Sequence, residues 1–342
     1  MAGDRQSARV RLTDVAEHAG VSMKTVSNVV HDYPHVSAEM RARVQASIDE
    51  LGYRPNLTAR RLVTGKTGMI ALAIPEIDQP YFSELARHIS AEAGLRGYRV
   101  LVEQTLDSVE AERAVIRDRE EGLVDGVIFH PVRVDTLEIA RLRPGTPLVL
   151  LGEAARPLSV DHVMIDNVAA ARDGVKMLLA QGRRRILFLA TVARELTEST
   201  HLRLQGYQEA LSGADIPVDA NLVLDSPGFG VDEVVATLAA AIESGLEFDA
   251  ILCRDDLFAL AAMRALAAAG ASVPGDVAVL GWDDTALSRY ATPDISSIAP
   301  DKAELARMAL GLLKDRMNGH SGAGRHLLAP YRLAERASTR AR

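Results

Sequence analysis

A single cysteine, Cys253, stands in 342 residues. It excludes an internal disulfide and any cysteine cluster for metal. No run approaches the roughly 18 apolar residues of a membrane-spanning helix. The opening MAGDRQSARVRLTD lacks the apolar h-region of a secretory signal, so a cytoplasmic location is expected. Neither a Gly-x-Ser-x-Gly elbow nor a His-Glu-x-x-His pair occurs, and the nine histidines are scattered. Gly65-Lys66-Thr67 has the ending of a phosphate loop. That loop needs a glycine at position 60, where Arg60 stands, and a strand before it, where a helical pattern stands. No enzyme, cofactor or metal site is expected.

What is present is ordinary for a soluble globular chain: 48% hydrophobic and 25% charged residues, with length for two or three domains. The net charge of −7 is uneven: residues 1–66 carry ten Lys and Arg against seven Asp and Glu, and the remainder 29 against 39. A mildly basic head on an acidic body suits a head that touches an anion.

The head reads as helices. LTDVAEHAG starts with Thr13 as expected N-cap and stops at Gly20. Ser22 can cap a second helix through Val30, with Val26, Val29 and Val30 inward and Met23, Lys24, Ser27, Asn28 and His31 on the other side. After Ser37 the apolar positions Met40, Val44, Ile48 and Leu51 mark a third helix, closed by Gly52. Pro55 ends this element, Asn56 can cap a short helix to about Leu62, and residues 64–68 read as a linker. Two helices with a glycine turn occur in many all-α packings. The short polar outer face of the second helix, with Arg41 and Arg43 at the third, favours nucleic acid.

From Met69 apolar runs (MIALAIPEI, YRVLVEQT, VDGVIFH, TPLVLLGE, RRILFLAT, DAILCRDD, VAVLGWDD) alternate with helical stretches. Continuous apolar strands between helices mean parallel sheets covered on both faces, and the number of units calls for two lobes. A last amphipathic helix, KAELARMALGLLKDRMNG, precedes RHLLAPYRLAER, read as one strand and a tail. Acidic pairs end two strands, Asp255-Asp256 and Asp283-Asp284. One member of each pair is expected to cap a helix. In open α/β sheets ligands sit at the carboxyl ends of strands, where Tyr81, Phe82, Glu153, Asp166 and Trp282 also fall. Carboxylates beside aromatic faces suit a sugar or a nucleoside.

LTDVAEHAGVSMKTVSNVV, HVSAEMRARVQASIDELGYRPN and LTARRLVTGKT together resemble the lac repressor/purine repressor family of bacterial transcription regulators. GMIALAIP, QPYF, RLQGYQEAL, RDDLFALAAMRAL and VPGDVAVLGWDD extend the resemblance along nearly the whole chain. The implied fold is an all-α helix-turn-helix head plus an α/β periplasmic-binding-protein-like sensor of two parallel-sheet lobes. The head spans 8–64 with a hinge helix at about 55–63. The sensor spans 65–342, one lobe at about 68–167 with 299–325 and the other at about 168–298 with 326–342. By resemblance Met23, Lys24, Ser27 and Asn28 read the major groove, Thr25 contacts phosphate, and Ala59 and Leu62 enter the minor groove, Leu62 as a wedge. Thr13, Ser22, His31 and Asn56 complete the DNA-facing set. Asn28 stands where arginine is usual, which shifts preference from guanine to adenine.

Tyr81, Phe82, Glu153, Asp166, Arg203, Asp255, Trp282 and Asp283 form the expected effector set, Asp255 standing where asparagine is common. The implied function is an effector-controlled repressor: a homodimer on a palindromic duplex operator, with a small polar effector, a sugar first. A nucleoside sensor, a sugar-binding protein with no DNA role and an α/β enzyme are the alternatives. The binding protein would lack the head and carry a signal peptide, and the enzyme would need a nucleophile or cofactor loop.

Overall fold

A computed structural model describes residues 10–30, 33–53, 66–117, 122–142, 145–153, 159–191, 198–226 and 230–340. The chain forms two compact units, Met1–Thr67 and Gly68–Arg342. In the first, α1 (Leu12–Ala19), α2 (Met23–Val30) and α3 (Ala38–Leu51) bury Val15, Ala16, Ala19, Val26, Val29 and Val44. Gly20 ends α1 at φ +63°, a left-handed conformation that a side chain resists. Ser22 and Ser37 cap α2 and α3 through the amides of Thr25 (3.1 Å) and Met40 (3.3 Å). Thr13 is not the cap of α1. The helix begins two residues earlier, because the Asp14 carboxylate accepts from the Arg11 amide at 2.8 Å and fixes Arg11 as N-cap. His31, Asn56, Ala59, Leu62 and the expected hinge helix lie outside the described residues.

The second unit holds two six-stranded sheets. In chain order its elements are β1 (Met69–Ile74), α4 (Pro80–Leu95), β2 (Arg99–Gln104), α5 (Val109–Arg117), β3 (Gly126–Phe129), α6 (Thr136–Leu142), β4 (Leu148–Leu151) and β5 (Asp161–Met164). Then follow α7 (Asn167–Ala180), β6 (Ile186–Ala190), α8 (Glu198–Ser212), β7 (Val223–Asp225), α9 (Val231–Glu243), β8 (Ala250–Cys253) and α10 (Asp256–Ala268). The last are β9 (Ala278–Trp282), α11 (Ala286–Tyr290), β10 (Ser296–Pro300), α12 (Lys302–Met317), β11 (His326–Leu328) and β12 (Tyr331–Ala334). The sheet orders are β11-β5-β4-β3-β1-β2 and β12-β10-β9-β8-β6-β7. All described pairings are parallel except β12 against β10.

The apolar runs become buried central strands, as their composition requires. β2 departs from this: at the edge of its sheet, it leaves Leu101 and Val102 each 45% exposed. RHLLAPYRLAER is not one strand. Residues 326–328 pair with β5 in the first sheet, not the second lobe, and Pro330 separates them from β12 in the second sheet. The expected tail is packed, with Ser338 and Thr339 buried. The chain therefore crosses between lobes after β5, after β10 and after β11. Helices α7 and α8 touch so closely that a Cβ on Gly206 would lie 2.2 Å from the Val168 carbonyl oxygen. Only glycine allows that approach.

Candidate functional site

In the head, α2 keeps its valines inward and turns polar atoms out. Ser22, Met23 and Lys24 are exposed, Met23 by 53%, while Thr25, Ser27 and Asn28 are half-buried. The hydroxyls of Ser22 and Thr25 lie 2.9 Å apart. Exposed Thr13 reaches the Asp14 carboxylate at 3.3 Å.

In the second unit the carboxyl ends of strands from both sheets wall a cavity of about 240 Å³. Tyr81 and Phe82 enter on the first turn of α4, whose first position is Pro80, a residue already shaped for that place. Glu153 follows β4, Arg203 projects from α8, Asp255 follows β8, and Trp282 and Asp283 end β9. Seven of the eight sensor residues singled out in the sequence thus line one space. Asp166 is not among the lining residues; its carboxylate caps α7 through the Ala169 amide at 2.9 Å.

Arg203 is anchored rather than ion-paired to Asp283. Its Nε donates to Asn167 Oδ1 at 2.9 Å and its Nη1 to the Arg254 carbonyl at 2.6 Å. Its guanidinium lies 3.9 Å from the centre of the Trp282 ring. Asn167 in turn donates to Glu153 at 2.6 Å. Burial lowers the pKa of Arg203, against the pull of Asp283 and Glu153. Burial pushes Asp283 up to about 7; Arg203 opposes this, and Asp256 and Asp255 reinforce it. Tyr81 is raised by burial and then by those same carboxylates, Asp283 and Glu153.

The two acidic pairs divide their work differently. Asp255 caps α10 through the Phe258 amide at 2.9 Å, as expected, and holds Arg254. Asp256 is buried and accepts from Thr285 N (2.7 Å), Thr285 Oγ1 (2.9 Å) and Ser297 Oγ (2.8 Å). Neither Asp283 nor Asp284 caps a helix. Both sit at positive φ, +96° and +47°, in a turn where Arg332 (2.6 Å) and Arg336 (2.5 Å) claim Asp284 and Asp283 faces the cavity.

Sequence reasoning missed His130, Ser199, Arg254 and Asp256 in the lining. His130 ends β3 and could have been found by the strand-end rule that selected Glu153. Its ring meets Phe82 edge-on at 4.9 Å, and burial lowers it to about 4. Nothing in the sequence signals Asn167, the link between Arg203 and Glu153. Nor does it signal the link between lobes beside the cavity. Glu84 of α4 accepts from the Ala286 amide at 2.8 Å and pairs with Lys302 Nζ at 3.0 Å; Lys302 also donates to the Asp283 carbonyl. No group of three or more metal-ligating side chains, and no helix long and apolar enough to cross a membrane, occurs among the described residues.

A family profile described as bacterial regulatory proteins, lacI family, matches residues 11–56, and one described as periplasmic binding protein-like domain matches residues 175–339. The HTH-type transcriptional repressor CytR of Escherichia coli (strain K12) is 32% identical over 343 residues, covering 100% of this chain and 99% of that protein. Among solved structures, a transcriptional regulator CelR–cellobiose complex is 30% identical, with TM-score 0.69, covering 96% of this chain and 100% of that one. The lac repressor dimer bound to operator and the anti-inducer ONPF is 28% identical, with TM-score 0.85, covering 98% and 100%. The head, the two-lobed unit and full-length similarity to named regulators agree: this chain belongs to the LacI family, DNA-binding transcription regulators rather than enzymes.

Proposed function

We propose that the chain is a homodimeric repressor that binds a two-fold operator in the cytoplasm and is released or recruited by a small polar effector, a sugar first, in the cavity of its second unit. The observation that carries the sensor half is the gathering of Tyr81, Phe82, Glu153, Arg203, Asp255, Trp282 and Asp283 around one space. Aromatic faces, fixed donors and carboxylate acceptors are the groups that hold a ring rich in hydroxyls. The relatives bound to cellobiose and to operator with ONPF support the same reading.

In the head, Met23, Lys24, Ser27 and Asn28 read bases, Thr25 holds phosphate, and Thr13, Ser22 and His31 flank them. Ala59 and Leu62 serve the minor groove, with Asn56 beside them in the DNA-facing set. Two heads on a two-fold protein require a two-fold site. The edge strand β2, with Leu101, Val102 and neighbouring Leu95 and Leu106 exposed, supports self-association. Effector between the lobes alters their closure. That shifts a hinge segment too short to hold a helix alone and coupled to DNA for its folding.

Asp283→Asn tests the assignment, because asparagine tolerates the φ of +96°. It should weaken the effector response while operator affinity without effector and melting temperature stay near wild type. A variant that still responds at the wild-type effector concentration refutes the effector role.

A further inference from the structure

We propose that the effector is a cation: a polyhydroxylated compound with a protonated amine, of the amino-sugar class, preferred over its neutral counterpart. This rests on the sensor reading above and adds the ligand's charge to it. The described lining carries six carboxylates, Glu76, Asp107, Glu153, Asp255, Asp256 and Asp283, against two guanidiniums, Arg203 and Arg254. Arg254 is spent on Asp255 at 2.5 Å. Arg203 directs its Nε to an asparagine and its Nη1 to a backbone carbonyl, and stacks on Trp282. Asp107 is answered by Arg133 at 2.6 Å, and Asp256 by Thr285 and Ser297.

Glu153 accepts from Asn167 at 2.6 Å and Glu76 from Gln79 at 3.5 Å, which leaves Asp283. It is 8% exposed and lines the cavity, and among the described residues its carboxylate receives no hydrogen bond. Its carboxylate opens on the cavity, where a ligand can supply the donor. A hydroxyl supplies a donor and leaves the charge uncancelled. An ammonium supplies donor and countercharge together, the stronger arrangement in a dry site. Burial, reinforced by Asp256 and Asp255, raises the pKa of Asp283 although Arg203 and Lys302 pull it down. The rings of Tyr81 and Phe82 add surfaces that attract a cation. Arg203 and the other lining carboxylates can meet hydroxyls, so amine at Asp283 and hydroxyls elsewhere describe one molecule.

Trp282 is the chain's one tryptophan, so tryptophan emission reports this cavity. Full-length protein is titrated with glucosamine and galactosamine, with glucose and galactose, and with the N-acetyl derivatives, in which the charge is removed and the bulk kept. The amines should saturate the emission change at concentrations at least about tenfold below the neutral sugars and the N-acetyl forms. Asp283→Asn, a residue that tolerates positive φ, should erase most of that preference by weakening the amines far more than the neutral sugars. Neutral sugars binding as tightly as the amines in the unaltered protein overturns the charge assignment and leaves the sensor reading standing. No emission change with either class overturns both.

Discussion

Lys302→Met removes the cation that joins the two lobes beside the cavity. In the intact protein Lys302 is 7% exposed, its ammonium lies 3.0 Å from Glu84, and it donates to the carbonyls of Asp283 and, at 3.4 Å, Asp284. Breaking a buried pair from one side costs about 3–5 kcal/mol. Glu84 keeps the Ala286 amide as donor and its side chain remains 18% exposed, so the loss should fall below that range, about 2–3 kcal/mol. At about 2–4 °C per kcal/mol for a domain of this size, the melting temperature should drop by about 4–12 °C. Glu84→Gln keeps an acceptor for Ala286 and should cost less, about 1 kcal/mol. The two changes should be non-additive, because they remove the same contact. Thermal unfolding of both single variants and the double variant at neutral pH provides the cycle. Because Lys302 grips the Asp283 backbone, the effector-induced rise in melting temperature should shrink as well. A drop of less than about 1 °C in Lys302→Met would show that Lys302 does not hold the lobes, and full additivity with Glu84→Gln would show that the two side chains do not act as a pair.

Asp161 is fully buried between Arg316 and Arg325; burial would raise its pKa, but their hydrogen bonds hold it below the carboxylate range. Its stabilisation is therefore present above about pH 3.9 and lost as pH falls further; Asp161→Asn should lower the melting temperature at pH 7 and flatten the acid side of the stability profile, and an unchanged profile refutes this. Asn28→Ala should cost about 1–3 kcal/mol at one A·T pair of the operator and little elsewhere; equal losses at every position in a substitution series would remove Asn28 from base reading. Leu62→Ala should weaken operator binding by a few kcal/mol, on the order of one unstacked step, and spare random duplex; equal losses on both would mean Leu62 is not a wedge.

The alternation of apolar strands and helices was legible because a sheet covered on both faces needs unbroken apolar runs. Val26 and Val29 of α2, and Val44 of α3, were legible from helical spacing alone. Strand β10 was not: SSIAP is half polar, and Ser296 and Ser297 are tolerated there because Asp256, Arg336, Ser338 and Thr339 meet their hydroxyls and amides. The exchange of β11 and β12 between lobes was equally hidden, since pairing partners lie far apart in sequence. At the cavity, strand-end position found Glu153, Asp255, Trp282 and Asp283. The same rule selected Asp166, whose carboxylate caps α7 and is not among the lining residues. The roles within each acidic pair depend on who else reaches it, and Arg332 and Arg336 arrive at Asp284 from the far end of the chain.

The central claim is sequence-specific, two-fold DNA recognition by the full-length chain. Selection of bound duplexes from a random pool, followed by sequencing, tests it directly. The account predicts enrichment of one site whose two halves are related by inversion, with an A·T pair opposite Asn28 in each half. Absence of enrichment over the starting pool, or an enriched site without two-fold symmetry, would contradict it.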